Sequence, residues 1–386
     1  MFNGDDRTLI SSTLLAIYRV MYRYLARPLI FQMDAETAHS RAMEALNYFD
    51  AHPELLALIH RLTFSSIPTQ VGGTCLDAPL MLAAGFVKGE GFATETEALK
   101  AVADGQNIIP GWRSMPSLAG AVEFGSFTRY PRVGNPGVVL WRDARTRSTQ
   151  NRVGLKNPGA VAAAEFLSTR PLPFIFGINI AVSPGVSDPD QEQQEVVEAF
   201  RAFLSRGVHP TWFTLNVSCP NTEDDPGDHQ TEARTRALVR RIIAGLEKLP
   251  LWVKISPNLA ESQYLTLLRV FEEEGVQAVI ASNTQPEPSP LDPSLTAGVG
   301  GGRLHQTAVK VAALLAQEKR QQGYHLDIIG CGGVQTPPDY YDFVRYSGVR
   351  AVQYWSALIY QGPLAAALIL HEIEVEGREC GEQQPK

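Results

Sequence analysis

Short apolar runs alternate with amphipathic stretches along most of this chain, from about Pro68 onward. The amphipathic stretches have the three- and four-residue spacing of helices, as in 191–204, 231–246, 262–274 and 306–322. The apolar runs are rich in Val, Ile and Leu, which is typical of strands that are buried on both faces. We therefore predict eight buried strands, near Pro79–Gly85, Ala119–Thr128, Phe174–Ile180, Trp212–Val217, Leu251–Ile255, Ala278–Asn283, Asp327–Cys331 and Ala351–Ser356.

Strands that alternate with helices in this way predict a parallel sheet with helices on its outside. The predicted fold class is α/β, and eight such units favour a closed (β/α)₈ TIM barrel with a small N-terminal helical extension. A doubly wound open sheet is the alternative, but no G-x-G-x-x-G pattern follows the first strand. In a barrel, the reactive groups are expected at the carboxyl ends of the strands.

The extension before the barrel has its own helical pattern. Asp34 is suited to cap a helix, and Pro53 suits the first turn of a second helix that ends near Leu62. We expect the helical extension to comprise residues 1–65 and the barrel residues 66–386.

A further helix is predicted before Asp34, and Pro28 is expected to end it. Arg19, Arg23 and Arg27 recur every four residues and so share one face of this helix. The opposite face is apolar and consists of Ile10, Leu14, Ile17, Met21 and Leu25. Two interpretations stay open: a helix packed on the barrel with its arginines in solvent, or an interfacial helix with its apolar face in a membrane and its arginines at anionic headgroups.

Composition narrows the range of functions. The net charge of −7 gives no reason to expect nucleic acid as a partner. The four cysteines have no close spacing, so no metal site is predicted and a reducing compartment is favoured. Uninterrupted apolar runs of about 18 residues, which would predict a transmembrane helix, do not occur in the sequence.

The most informative segment is Asn-Val-Ser-Cys-Pro-Asn-Thr at 216–222, which follows the fourth predicted strand. It gathers amide, hydroxyl and thiol groups at one strand end, as the binding of a small planar polar substrate would require. A free cysteine is most often a small buried apolar residue. Cys219 instead stands between polar residues and before Pro220, which favours a chemical role.

This segment resembles the catalytic loop of dihydroorotate dehydrogenases, which are flavin enzymes of pyrimidine synthesis, and the resemblance extends from about Met21 to Ile373. The N-terminal part, with Phe-Gln-Met-Asp at 31–34 and His39, is similar to that of the quinone-linked class 2 enzymes. Class 2 enzymes use a serine as the base, whereas Cys219 is the residue that class 1 enzymes carry.

The resemblance implies FMN as the cofactor and (S)-dihydroorotate as the substrate, with Cys219 as the general base and hydride transfer to the flavin. The implied substrate-binding residues are Lys88, Asn151, Asn216, Asn221, Asn283 and Thr284. The implied cofactor-binding residues are Ala84, Gly85, Lys88, Ser126, Asn179, Asn216, Lys254, Ser282, Gly302, Gly332, Gly333, Trp355 and Ser356. Of these, Asn151 belongs to an implied substrate loop, and Gly302 to an implied glycine-rich flavin loop.

Several positions depart from the family pattern, namely Val87, Leu155, Lys156 and Ala181. Three alternatives therefore stay open beside quinone-dependent oxidation of dihydroorotate. The acceptor could be fumarate or NAD, the substrate could be another pyrimidine-like compound, or the chain could be a non-catalytic flavin- or ligand-binding barrel. If the acceptor is a quinone, we expect a peripheral position at the cytoplasmic side of the cell membrane, with a cytoplasmic position as the alternative. The resemblance also aligns Arg142 with an arginine near the quinone entrance of class 2 enzymes.

Overall fold

The computed structural model describes residues 4–186, 188–217, 232–246 and 248–382. Its strands are β1 Thr69–Val71, β2 Thr74–Leu76, β3 Leu80–Leu82, β4 Ala121–Phe127, β5 Leu140–Asp143, β6 Ser148–Asn151, β7 Phe176–Ala181, β8 Trp212–Asn216, β9 Leu251–Ile255, β10 Ala278–Ala281, β11 Gln285–Pro288, β12 Thr296–Gly301, β13 Asp327–Cys331 and β14 Val352–Tyr354. Its helices are α1 Gly4–Met21, α2 Arg27–Ile30, α3 Ala35–Ala51, α4 Pro53–Thr63, α5 Glu95–Ala103, α6 Ser114–Ala119, α7 Ala160–Ser168, α8 Pro189–Leu204, α9 Glu232–Ile243, α10 Glu261–Glu273, α11 Gly302–Gln322, α12 Pro337–Ser347, α13 Ala357–Tyr360 and α14 Ala365–Glu382.

Parallel strands close into a barrel in the order β3, β4, β7, β8, β9, β10, β13 and β14. Each of the eight predicted apolar runs supplies one of these strands, so the predicted barrel is confirmed and the open doubly wound sheet is excluded. The four helical stretches predicted between strands correspond to α8, α9, α10 and α11.

The interior of the barrel is filled in layers, as is usual for this fold. At the amino end, Trp212 and Trp252 stack with their ring centroids 4.4 Å apart. The antiparallel hairpin of β1 and β2 packs against them, and Trp252 Nε1 donates to the carbonyl oxygen of Gly72 at 2.9 Å. Glu123 and Gln353, both 0% exposed, lie nearer the carboxyl end. The amino end of the barrel is thus filled and covered by the hairpin, so a cleft is expected at the carboxyl end.

A second, antiparallel sheet is formed by β11, β12, β6 and β5 in that order. The expected glycine-rich loop is largely strand β12, and Asn151 ends strand β6 rather than lying in a loop. Here glycine permits a close approach of backbones, because a Cβ atom on Gly301 would lie 2.5 Å from the carbonyl oxygen of Arg147. These short strands lack the apolar alternation by which a strand is recognised in a sequence.

The N-terminal helices begin largely as predicted, but the first one ends later. Asp34 caps α3 by accepting a hydrogen bond from the backbone nitrogen of Thr37 at 2.8 Å, and α4 begins at Pro53. The prediction that Pro28 ends the first helix is wrong, because a π-helical turn at Tyr22–Ala26 leads into α2, which contains Pro28 and ends at Ile30. A wider turn before a proline relieves the clash between its ring and the carbonyl group of the preceding turn.

Helix α1 lies against the C-terminal helix α14. Leu15 is buried against Ala367 and Leu368, and the Tyr18 hydroxyl donates to the carbonyl oxygen of Gln361 at 3.1 Å. The outer side of α1 and its continuation is apolar, and its side chains are between 53% and 63% exposed at Ile17, Val20, Met21, Tyr24, Leu25 and Leu29. Within the described ranges, no helix combines the length and the apolar character that crossing a bilayer would need.

Candidate active site

A cleft of about 980 Å³ opens at the carboxyl end of the barrel. Its floor is made by the polar ends of the barrel strands. Its outer wall is made by the N-terminal helices together with β5 and α13, and the apolar side chains on it are Tyr22, Ile30, Met33, Ala38, Ala42, Met43, Leu140, Leu358 and Ile359. Polar side chains of α3, such as Glu36, Arg41 and Glu44, line the rim of this wall. One cavity therefore joins a polar floor to an apolar entrance.

Most of the residues that the sequence singled out line this one cleft. They are Ala84, Gly85, Lys88, Ser126, Asn151, Asn216, Lys254, Ser282, Asn283, Thr284, Gly332, Gly333, Trp355 and Ser356. Asn179 is buried beneath the floor. Gly302 does not line the cleft, whereas the two glycines before it, Gly300 and Gly301, do. Cys219 and Asn221 lie outside the described residues.

Three side chains from the ends of alternate barrel strands, β4, β8 and β10, form a chain of amide and hydroxyl groups. Asn283 Nδ2 lies 3.4 Å from Asn216 Oδ1, and Asn216 Nδ2 donates to Ser126 Oγ at 3.1 Å. Asn283 Oδ1 in turn accepts from the backbone nitrogen of Thr284 at 2.8 Å. These hydrogen bonds fix the orientation of two amides at the floor, where a planar ligand with amide edges would meet them.

Lys254 brings a cation to the same floor. It is opposite Asn216 in the register of β8 and β9 and is 5% exposed. Its Nζ donates to Gln353 Oε1 at 3.2 Å, and it contacts the thiol of Cys331. Burial raises the pKa of that thiol, although Lys254 acts in the opposite direction. Cys331 is therefore a neutral neighbour of the cation and is unsuited to be a base.

Sequence reasoning missed Glu123, a carboxylate inside the barrel that is 0% exposed. Asn179 Nδ2 donates to it at 2.7 Å, Thr214 Oγ1 at 2.9 Å, Gln353 Nε2 at 3.0 Å and Trp212 Nε1 at 3.1 Å. Four donors satisfy a buried carboxylate that would otherwise be costly. The signal was present in the sequence, since Glu123 is the one charged residue in the apolar run Ala121–Phe127.

The Asn179 side chain offers a test of whether a flavin fits this floor. Its Nδ2 is held by Glu123, while its Oδ1 is buried without a hydrogen-bond partner among the described residues. A buried acceptor of this kind calls for a donor, and the pyrimidine edge of a flavin carries one. A Cβ atom on Gly85 would meet only Trp355 Nε1, at 3.8 Å, so the backbone there leaves room for a flat ring. The residues present fit a flavin.

The loop that carries Lys88 is tied to the end of β4. Gly85 N donates to the carbonyl oxygen of Gly125 at 2.6 Å, and Gly125 N donates to that of Val87 at 2.9 Å. Val87, which departs from the family pattern, is 0% exposed and belongs to the apolar core. It therefore supports the loop by packing, and Lys88 still lines the cleft.

His39 lies at the entrance, beside Phe86 with a ring-centroid distance of 6.2 Å. Partial burial, together with the charges of Lys88 and Lys156, lowers the pKa of His39 to about 4. Lys156, which also departs from the family pattern, pairs with Glu90 at 3.1 Å. His39 is thus neutral near pH 7 and adds no charge to the apolar entrance.

Arg142 on β5 joins the N-terminal helices to the antiparallel sheet. Its guanidinium donates to the carbonyl oxygens of Ile30, at 3.3 Å, and Met33, and it lies 4.6 Å from the ring centroid of Phe31. Arg142 lines the entrance, as the resemblance implied, and fixes the turn between α2 and α3 there.

His305 was also missed, and it lies behind the glycines at the end of β13. Its Nδ1 is 3.0 Å from the carbonyl oxygen of Gly332, and its Nε2 is 3.1 Å from Asp342 Oδ2. The ring thus bridges a backbone carbonyl group and a carboxylate. His305 holds the Gly332–Gly333 turn in place at a point where barrels of this fold commonly bind phosphate.

The comparisons with known proteins agree with this geometry. A family model described as Dihydroorotate dehydrogenase, a family of flavin-dependent enzymes, matches residues 66–376. A dihydroorotate dehydrogenase (quinone) of Thermobifida fusca is 33% identical over 363 residues, covering 89% of each chain. One from Chloroflexus aurantiacus is 32% identical over 371 residues, covering 89% of this chain and 94% of the relative. The fold is similar to that of DHODH from Eimeria tenella in complex with ferulenol, with a TM-score of 0.71, 21% identity and coverage of 92% and 96%. The chain belongs to the dihydroorotate dehydrogenase family and has the class 2, quinone-linked architecture.

Proposed function

We propose that this protein oxidises (S)-dihydroorotate to orotate with FMN as its cofactor and passes the electrons to a quinone. The observation that carries the proposal is the single cleft of about 980 Å³ in which a polar floor meets an apolar entrance. A polar pyrimidine and an apolar acceptor need different environments, and this cleft offers both beside one cofactor position.

At the floor, the proposed substrate ligands are amides and one hydroxyl. Asn151, Asn216, Asn283 and Thr284 line the cleft, and Asn221 is assigned from the sequence alone. Asparagine donates and accepts, so it can pair with both the N–H and the C=O groups of a pyrimidine ring. Substrates without those groups would leave the amides unpaired and would be rejected strongly.

The residues proposed to hold FMN surround the floor. Asn179 and Lys254, which are buried at the floor, would hold its ring system, and Gly332, Gly333 and Ser356, which line the cleft, would offer backbone and hydroxyl donors to its phosphate. When bound, FMN supplies the hydride acceptor for substrate oxidation. Lys254 places a positive charge where negative charge develops during that oxidation.

Cys219 is proposed as the general base that takes the proton from C5 of the substrate. In the sequence it stands three residues after Asn216, which ends strand β8 and lines the floor of the cleft. A thiol ionises far more readily than the serine that class 2 enzymes use, so the proton can pass to Cys219 directly.

The apolar outer face of α1 and α2 is proposed to rest on a membrane at the cytoplasmic side. Six large side chains on it are more than half exposed, which is unusual for a surface in water. Quinones dissolve in the same apolar layer, and the entrance of the cleft lies beside α2. This arrangement shortens the path of the acceptor.

Anaerobic mixing of the purified protein with dihydroorotate tests the proposal. The flavin absorbance should bleach in a single turnover, and a soluble quinone should restore it faster than fumarate or NAD does. A protein without flavin would favour the binding-barrel alternative, and a flavin that stays oxidised would point to another substrate. Recovery with fumarate or NAD alone would contradict the quinone assignment.

A further inference from the structure

A second cleft, of about 720 Å³, lies outside the active site between α1, the turn that joins β5 to β6, the start of α12, and α14. The residues that line it differ from those that line the active-site cleft. Nothing in the proposed reaction uses this cleft.

Its lining is strongly basic. Five arginines line it, namely Arg19, Arg23, Arg27, Arg145 and Arg147, against one carboxylate, Glu372. Glu372 pairs with Arg19. Among the described residues, Arg23 and Arg147 have no carboxylate partner, and Arg145 interacts electrostatically with Asp143 of its own turn. Five arginines against these two carboxylates leave a surplus of positive charge at the cleft, in a protein whose net charge is −7.

The arginines come from two opposed walls. Arg19, Arg23 and Arg27 belong to the N-terminal helices, whereas Arg145 and Arg147 belong to the β5–β6 turn, more than 110 residues later in the sequence. Helix periodicity explains why the first three share a face. It does not explain why that face meets two further arginines across a cleft rather than a carboxylate-rich surface.

The turn that carries Arg145 and Arg147 is fixed in place. The Asp143 carboxylate accepts from Thr146 Oγ1 at 2.7 Å and from the backbone nitrogen of Arg145 at 3.1 Å. The Tyr360 hydroxyl lies 2.6 Å from the carbonyl oxygen of Ser148. The wall is thus preorganised, so binding a ligand there would cost little ordering of the backbone.

The opposite wall is held to the same tyrosine. Arg27 Nη1, on the N-terminal wall, donates to the carbonyl oxygen of Tyr360 at 3.1 Å. On the β5–β6 wall, the Arg147 carbonyl oxygen accepts from Gln335 Nε2 at 2.7 Å. Tyr360 therefore links both arginine-bearing walls at a set separation. These hydrogen bonds of Tyr360 hold the two walls, and with them the two groups of arginines, at a fixed distance from each other.

We propose that this cleft binds a phosphate-bearing anion. Guanidinium groups have a planar fork of donors that matches phosphate oxygens, and opposed arginines can bind one phosphate from two sides. A soluble phosphate compound and the headgroup of an anionic phospholipid share this chemistry, and the cleft borders the exposed apolar face of α1. The inference does not depend on the proposed oxidation of dihydroorotate.

The test uses the flavin-loaded protein and two probes at constant ionic strength. Inorganic pyrophosphate is titrated calorimetrically, and vesicles of phosphatidylcholine with phosphatidylglycerol are compared with vesicles of phosphatidylcholine alone. The variant Arg23→Gln/Arg145→Gln removes one arginine from each wall. The matched control Lys100→Gln/Arg240→Gln removes two exposed cations elsewhere. Arg145→Gln alone, in an exposed turn, provides a variant that leaves the N-terminal helix intact.

We expect at least one probe to bind about tenfold more weakly to the cleft variants, with the control within about twofold of wild type. A loss confined to pyrophosphate identifies a soluble phosphate compound as the ligand. A loss confined to phosphatidylglycerol vesicles identifies a headgroup. Equal binding of both probes by wild type, cleft variants and control would overturn the proposal, as would equal losses in the cleft and control variants.

Discussion

Lys254 and Glu123, a buried cation and a buried carboxylate inside the barrel, are joined through a single side chain, the amide of Gln353. Lys254 Nζ donates to Gln353 Oε1 at 3.2 Å, and Gln353 Nε2 donates to Glu123 Oε2 at 3.0 Å. A side-chain amide has a donor end and an acceptor end. Glu123 binds the donor end of Gln353 and so directs the acceptor end towards Lys254. The cation proposed to face the flavin is therefore positioned by a carboxylate in the layer below it.

The first prediction concerns Glu123. In Glu123→Gln, one acceptor oxygen becomes an N–H₂ group that faces donors, so at least one buried donor loses its partner. We expect the free energy of unfolding to fall by at least about 2 kcal/mol. Denaturant unfolding measures the change, and Glu44→Gln, at a glutamate with a side chain 64% exposed, is the control. A loss as small as that of the control would mean that the network does not stabilise the barrel.

A second prediction concerns the cation itself. Lys254→Met removes the charge proposed to oppose reduced flavin, so the reduction potential of the bound flavin should fall by about 30 mV or more, equivalent to about 1.4 kcal/mol. The flavin should also dissociate more readily. Potentiometric titration measures the first effect, and Lys310→Met, on the exposed side of α11, is the control. An unchanged potential would remove Lys254 from the set of cofactor residues.

The barrel could be predicted from the sequence because each of its strands is a buried apolar run, and burial is visible in composition. Glu123 and Gln353 could not be assigned in this way. Their roles depend on the depth at which each side chain lies inside the closed barrel, which follows from strand register. For the same reason, Asn179 was predicted to contact the flavin, but its second partner, Glu123, was not foreseen.

The N-terminal helix shows a different limit of sequence reasoning. Periodicity separated the arginines from the apolar residues correctly, but it carries no information about which face meets the barrel. Both interpretations placed the arginines outward, yet Arg19 pairs with Glu372 and Arg27 bonds to Tyr360, whereas Ile17 is exposed. Only the tertiary contacts of α14 decide this orientation.

A third prediction follows from the lowered pKa of His39, which is about 4 in the folded protein. An unfolded histidine has a pKa of about 6.5, so between these values the unfolded chain binds the extra proton. The stability contributed by neutral His39 is fully present above about pH 6.5 and is lost as the pH falls towards 4. The stability difference between wild type and His39→Gln should therefore shrink between pH 7 and pH 5.

Denaturant unfolding at several pH values measures that difference, and His52→Gln, at an exposed histidine of the same extension, is the control. A wild-type advantage over His39→Gln that grows as the pH falls would show that His39 is protonated in the folded protein.

A fourth prediction concerns Cys219, whose role rests on the sequence because it lies outside the described residues. If its thiolate takes the substrate proton, the rate of flavin reduction should rise with pH and level off near or below about pH 8.5, the ordinary thiol pKa. Cys219→Ser should slow reduction and shift this profile, while orotate binding stays nearly intact. Stopped-flow absorbance measures the rate, and wild-type reduction by Cys219→Ala would exclude Cys219 as the base.

The last prediction concerns the exposed apolar face of α1 and of the π-helical turn that follows it. If it rests in the acyl boundary of a membrane, Ile17→Gln/Met21→Gln/Leu25→Gln should bind phosphatidylcholine vesicles at least about tenfold more weakly, because the buried area of each side chain contributes to partitioning. Val133→Gln/Phe174→Gln/Leu291→Gln changes three apolar residues elsewhere that are each more exposed than those three, and is the control. Turnover with a membrane-embedded quinone should fall in the first variant, while single-turnover reduction by dihydroorotate is retained, because α1 lies outside the polar floor. Equal vesicle binding by the two triple variants would show that this face does not contact the bilayer, and the helix would then serve only to hold α14 and the entrance of the cleft.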